Sequence, residues 1–246
     1  MSFLLAVQFL TTVPVRLRDQ KAPDALGPAM AWFSVVGLLI GGVLAGVDYV
    51  LRLVLPATVS AALLLIVWVV LTGALHLDGF LDCCDGLLGA KSADRRLEIL
   101  RDSRVGAFAV VGGVCLLLLK YTVLLELPDA WRTRALVVIP ALTRAVMVFA
   151  ARAYPNARSG SGLGGLFRSG LGWGHVMIAG AVAVVSASVA LGWIGVGLAG
   201  VVWVLCIAVA WLTQRRIPGL TGDVYGAINE ITEVGAMLFL ILLEVV

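Results

Sequence analysis

Between His76 and Gly106 the chain reads HLDGFLDCCDGLLGAKSADRRLEILRDSRVG, and three of its aspartates, Asp78, Asp82 and Asp85, stand at i, i+4 and i+7. At about 100° per residue they fall within a roughly 60° sector of a helix, while His76 points to the opposite side. Carboxylates stacked in this way repel one another and are costly to desolvate unless a cation holds them. A hard divalent cation answers that need: Mg2+ takes oxygen ligands, usually one or two carboxylates together with substrate phosphates. Asp78, Asp82 and Asp85 are therefore candidate Mg2+ ligands, with Asp82 and Asp85 candidates for a direct catalytic part. Gly79 and Gly86 follow the outer two aspartates and remove side-chain bulk where a substrate or another helix must come close. The alternative is three aspartates that end a membrane span and meet water.

A polar segment follows, Ser92 to Arg104, of helical character. Ser92 is a plausible helix cap, and Asp94, Glu98 and Asp102 recur every four residues among Arg95, Arg96, Arg101 and Arg104. If this helix folds back on the stripe, Asp102 is a further candidate metal ligand, and Arg101 and Arg104 are candidates to clamp a pyrophosphate. The alternative is a solvated amphipathic helix laced by its own ion pairs. Farther on, Arg144 lies inside an apolar run, where an ionisable residue is a functional candidate by default; it could equally be the partner of a carboxylate elsewhere. The late stretch TGDVYGAINEITEVG places Asp223, Asn229, Glu230 and Glu233 at the entry to the last apolar run. Asp223, Asn229 and Glu230 are candidate substrate contacts; the acidic members could also bind a second cation or pair with Arg144. His76 is a candidate general base or substrate contact, or else a hydrogen-bonded histidine at a span end.

The elements that must position these groups are helices in a membrane. Of 246 residues, 61% are hydrophobic and 13% charged, with a mean hydropathy of +1.05. An ordinary soluble domain is about 45–50% apolar and about 25% charged, so a soluble enzyme, a disulfide scaffold and a disordered chain are excluded. Apolar runs at about Ala29 to Leu51, Ala57 to Leu77, Val105 to Leu125, Ala135 to Ala151, Trp173 to Leu191, Ile194 to Leu212 and Ala227 to Val246 predict about seven transmembrane spans. The expectation is an all-α, polytopic membrane bundle with a short cytoplasmic amphipathic helix, one integral domain over residues 1–246. The fifth and sixth runs, parted only by Gly192 and Trp193, must form a tight hairpin. The first ten residues are apolar but too short to span, which suits an interfacial or re-entrant segment.

Seven spans with the N-terminus inside put thirteen Lys and Arg on the cytoplasmic side and only Arg52, Arg132 and Arg134 opposite, as the positive-inside rule requires. Trp32, Trp131, Trp173, Trp193 and Trp211 fall near span ends as interfacial anchors. Residues 159–172 are rich in glycine and serine and read as a cytoplasmic loop, either a linker or a lid over the site. Cys83, Cys84, Cys115 and Cys206 form no Cys-x-x-Cys pair and read as reduced thiols. No nucleic-acid motif accompanies the basic residues, so membrane lipid, not nucleic acid, is the expected surroundings.

HLDGFLDCCDG with LEILRDSRVG, the early FLTTVPV and the late TGDVYGAINEITE together resemble the cobalamin synthase, or adenosylcobinamide-GDP ribazoletransferase, family. The early motif has Thr12 where that family usually carries an arginine. The resemblance implies an integral enzyme of a bacterial or archaeal cytoplasmic membrane, its site facing the cytoplasm, that joins adenosylcobinamide-GDP to α-ribazole or its 5′-phosphate and releases GMP, with Mg2+ as cofactor. A further copy of the chain, or other enzymes of the cobalamin pathway, would be its partners. Asp82 to Gly86 also resembles the D-x-x-D-G signature of CDP-alcohol phosphotransferases, which run the same reaction type. A phospholipid-synthesising enzyme of that kind and a cation-coupled transporter are the competing readings; against the transporter, the carboxylates cluster at span ends and not at the midplane.

Overall fold

The computed structural model describes residues 2–15, 26–89, 92–102, 104–158 and 163–245. Arg16, Arg18, Lys21 and Lys91, counted above as cytoplasmic charges, and residues 159–162 of the proposed lid lie outside the described residues. Among those described, the regular structure is helical, apart from a single bridge between Asn156 and Leu220. The helices are α1 (Ser2–Leu10), α2 (Leu26–Ala29), α3 (Phe33–Val54), α4 (Ala57–Leu71), α5 (Leu75–Leu88), α6 (Ala93–Ile99), α7 (Ala107–Glu126), α8 (Asp129–Ala153), α9 (Leu163–Arg168), α10 (Trp173–Leu191), α11 (Trp193–Gln214) and α12 (Gly222–Val245). A 3-10 turn over Met30–Trp32 joins α2 to α3.

Six segments are long and apolar enough to cross a membrane, from Leu26–Val54 through Gly222–Val245, and the pair α4 and α5, bent by 90°, supplies up to one more. Contacts between helix ends sort them into two poles. At one, Arg52 at the end of α3 pairs with Asp129 at the start of α8, and Arg134 donates to the Ala190 carbonyl at the end of α10. At the other, the Thr12 amide meets the Leu71 carbonyl at the end of α4, Arg158 after α8 reaches Asp223 at the start of α12, and Arg152 stacks on Trp173 at the start of α10. This sorting makes α4 run from the first of these poles to the second, so α3, α4, α7, α8, α10, α11 and α12 each traverse the bundle. The protein is a multi-pass membrane protein.

The second traverse corrects the expected run from Ala57 to Leu77. Its helix stops at Leu71, because the Thr72 hydroxyl bonds back to the Trp68 carbonyl and Gly73 and Ala74 both adopt the left-handed conformation, φ 61° and 55°. Glycine takes that conformation freely; alanine does so at a cost of about 1–2 kcal/mol. Fifteen residues rise only about 22 Å, so α4 is short, and Leu75 to Leu77 belong to α5. The tight hairpin expected at Gly192 is present, with φ 63° there.

α8 is the most enclosed of the candidate spans, and it is longer than the expected run from Ala135 to Ala151. Against it lies α3, close enough that a Cβ on Gly37 would stand 2.5 Å from the Pro140 carbonyl oxygen and one on Gly41 2.3 Å from that of Val137. Arg132 of α8 makes a two-pronged bond to the buried Asp48 of α3, 2.7 Å on each prong. Outward faces of the traverses carry exposed apolar residues such as Leu39, Val111, Leu118, Val189 and Val204, as lipid contact demands. The nine-residue α1 does not span. It packs at the second pole, where Phe3 meets Trp32 edge-on and Phe9 stacks on Phe33 and meets Phe167 edge-to-face.

Candidate active site

After the bend, α5 runs between α12 and α7. Two glycines let α5 and α12 touch backbone to backbone. A Cβ on Gly79 would lie 2.7 Å from the Asp223 carbonyl oxygen, and one on Gly226 2.8 Å from that of His76. The C-terminal end of α5 is capped by arginines that arrive from elsewhere: Arg96 donates to the Gly86 and Leu87 carbonyls, and Arg216 to that of Leu87. Cations at a helix C-terminus are favourable because they meet its unpaired carbonyls and dipole.

Beside that contact, the aspartate stripe opens on a cavity of about 270 Å3. Asp78, Asp82 and Asp85 line it together with Arg101, Asp102 and Arg104. All six residues that the sequence grouped as metal and phosphate candidates in this stretch thus share one space. Their environments differ. Asp85 accepts the backbone N–H groups of Gly106 (2.7 Å) and Ala109 (3.0 Å), so it caps α7 from outside. A Cβ on Gly106 would stand 2.6 Å from the Asp85 carboxylate, so the glycine lets the carboxylate approach the helix start without displacement. Asp78 and Asp82 have no ion-pair partner among the described residues.

The polar segment is shorter than expected. Ser92 caps it, accepting the Arg95 amide, but α6 ends at Ile99, and Arg101, Asp102 and Arg104 lie beyond it. Asp102 therefore leaves the four-residue stripe with Asp94 and Glu98. It folds instead onto Arg104, taking its backbone N–H and its guanidinium at 2.6–3.1 Å. Those bonds pull the Asp102 carboxyl down to about 2. Arg95 pairs with Glu98 in the open, the solvated arrangement.

The intramembrane polar residues assemble elsewhere. Lys120 of α7 donates to Glu230 (2.8 Å) and Glu233 (2.5 Å); Arg144 of α8 pairs with Glu233, which also accepts the Asn229 amide at 3.0 Å. Every member is buried, and Lys120 stacks 4.5 Å over Trp68. Arg144, Asn229 and Glu230 therefore sit in a charge-balanced ionic knot inside the bundle, not on the aspartate cavity, although Arg144 Nε and Nη2 and Asn229 Oδ1 make no hydrogen bond among the described residues. Asp223, by contrast, stays at the pole, held by Arg158 (3.2 Å) and the Thr221 hydroxyl (3.0 Å). His76 is 2% exposed and lines a separate, smaller cavity with Asp78 and Asp223. Neither Arg158 nor Lys120 stands out in the sequence as a site residue, although an ionisable side chain in mid-span is a signal that marks Lys120.

Among the described residues no three His, Cys, Asp or Glu side chains converge closely enough to hold a metal ion by themselves. The donor set nonetheless fits Mg2+: Asp78 and Asp82 are hard oxygen donors without a protein cation, and that ion commonly completes its shell with water and substrate phosphate.

No solved structure matches the chain. Curated relatives named adenosylcobinamide-GDP ribazoletransferase do: that of Geotalea daltonii is 39% identical over 97% of this chain and 96% of its own. That of Roseiflexus sp. is 40% identical over 94% and 86%, and that of Pseudomonas syringae 38% over 98% and 99%. The family model described as cobalamin-5-phosphate synthase matches residues 2–241, and with the aspartate cavity and the polytopic bundle in place, the chain belongs to that family.

Proposed function

We propose that the chain is an adenosylcobinamide-GDP ribazoletransferase, in which the aspartate cavity takes the pyrophosphate of adenosylcobinamide-GDP and directs a hydroxyl of α-ribazole, or of its 5′-phosphate, at the phosphorus bearing cobinamide. A new P–O bond forms, the P–O bond to GMP breaks, and the hydroxyl proton passes to a carboxylate of the wall or to His76. The supporting observation is the pairing of opposite charges across one cavity: the acidic wall of Asp78, Asp82 and Asp85 faces a basic rim of Arg101 and Arg104.

Arg101 and Arg104 bind phosphate oxygens; to do so Arg104 exchanges its contact with Asp102 for the substrate. Asp85 fixes the start of α7 and thereby one wall of the cavity. Asp78 and Asp82 would hold Mg2+, with Asp102 within the same space, and the ion would supply charge neutralisation for the leaving GMP. The pole that bears these groups collects the larger share of Lys and Arg, which supports the reading of a site on the cytoplasmic face of a bacterial or archaeal cell membrane.

The test is Asp82→Asn in detergent-solubilised protein. GMP release from adenosylcobinamide-GDP should fall by at least about a hundredfold, and turnover like that of the wild type would sink the assignment. CDP-diacylglycerol offered in the same assay separates this reading from a phospholipid-synthesising enzyme.

A further inference from the structure

A second, smaller cavity of about 70 Å3 lies on the other side of Asp78, between α5 and the start of α12. His76, Asp78, Asp223 and Tyr225 line it, with Phe9 and Phe167 closing it from α1 and α9. Three properties set it apart from the aspartate cavity. It is about a quarter of the volume, too small for a nucleobase or a corrin but sufficient for the hydroxyl-bearing edge of a sugar. Its lining contains two carboxylates and no lysine or arginine, so a phosphate would be repelled there, whereas an uncharged hydroxyl can donate to an acid. Asp223 has one oxygen engaged by Arg158 and Thr221, which leaves the other as an acceptor.

A fourth property points to a ligand. His76 is 2% exposed, and neither ring nitrogen has a hydrogen-bond partner among the described residues. Leaving a buried polar group unmatched costs about 1–3 kcal/mol, and a neutral imidazole offers one donor and one acceptor, the complement of a hydroxyl. The two cavities also share Asp78, so a group in the small one lies beside a group in the large one.

We infer that the small cavity is the acceptor subsite of the reaction proposed above: it seats an uncharged sugar hydroxyl of α-ribazole against His76, Asp78 and Asp223, while the pyrophosphate of the donor occupies the aspartate cavity. The inference rests on that functional reading. It divides the two substrates between the two sides of Asp78 and gives His76 the task of recognising the acceptor.

Equilibrium binding to full-length protein in detergent, with α-ribazole and adenosylcobinamide-GDP as separate probes, tests this division. His76→Phe, which fills the space and makes no hydrogen bond, should weaken α-ribazole roughly tenfold or more and leave the donor within about twofold. Arg104→Gln should give the reverse pattern. If His76→Phe fails to fold, His76→Asn, which keeps a donor and an acceptor, should retain more α-ribazole affinity than His76→Ala at equal donor affinity. Unchanged α-ribazole binding in the His76 variants, or equal weakening of both ligands, overturns the subsite. A wild-type protein that binds neither probe overturns the functional reading itself, and the subsite with it.

Discussion

Two groups of carboxylates lie within this bundle, and they are treated in opposite ways. Glu230 and Glu233 are buried and are met by Lys120 and Arg144, two acids against two bases, with Asn229 filling a remaining position. Asp78 and Asp82, on the cavity at the pole, have no protein cation within ion-pair distance among the described residues. Burying an ion without a partner costs several kcal/mol, so the interior group had to be neutralised by the chain itself. Its members come from α7, α8 and α12, and it ties those helices together. The polar group has access to water and is left open for a ligand to complete. Matched charge marks structure in this protein and unmatched charge marks chemistry.

That contrast can be broken experimentally, most sharply at its buried side. Glu233→Gln would leave Arg144 and half of the demand of Lys120 unanswered inside the bundle; a loss of about 3–5 kcal/mol is expected, read as a large drop in the thermal midpoint in detergent. Asp82→Asn should do the opposite, removing a repulsion and leaving the midpoint equal to or above that of the wild type while activity is lost. A variant pair that destabilised equally would dissolve the distinction. Gly106→Ala tests the one aspartate of the stripe that is spoken for. The added methyl displaces the Asp85 carboxylate, and a loss of about 1 kcal/mol is expected, with turnover reduced because the cavity wall shifts; a silent substitution would show that Asp85 is not needed as a cap. The smallest effect is expected from Arg52→Ala, which removes an ion pair whose partner, Asp129, is 77% exposed. Less than about 1 kcal/mol and no change in turnover should result, measured by the same melting and GMP-release assays.

The spans were legible because a run of about 20 apolar residues has few other uses, and the Asp78, Asp82 and Asp85 face was legible because helical periodicity alone decides it. Ser92 as a cap and Gly192 as a hairpin turn are equally local facts. What escaped depends on which helices become neighbours. Asp223 sits beside Asp78 because Gly79 and Gly226 let two backbones touch, a pairing that no spacing along the chain announces. Arg144 was read with a carboxylate partner as one option, but its choice of Glu233 and the arrival of Lys120 from α7 required three helices to be placed at once. The bend at Thr72 to Ala74 had a visible sign in Thr72-Gly73, yet the apolar run continued past it to Leu77 and masked the change of direction. Asp102 left its expected face because the chain must turn back in time for Gly106 to reach Asp85.

The packing of α5 against α12 also bears on how the protein is made. A segment carrying three aspartates is a poor substrate for the insertion machinery, at about 2.5–3.5 kcal/mol for each such residue at the centre of a helix. Turning by 90° after α4 spares the lipid from it. The surface that finally shelters α5 belongs to α12, made well over a hundred residues later, whose glutamates also meet Lys120. Chains that stop short of Gly222 therefore lack both the floor of the small cavity and the anions that Lys120 and Arg144 await, so until α12 has been made the protein has neither a finished site nor a neutral interior.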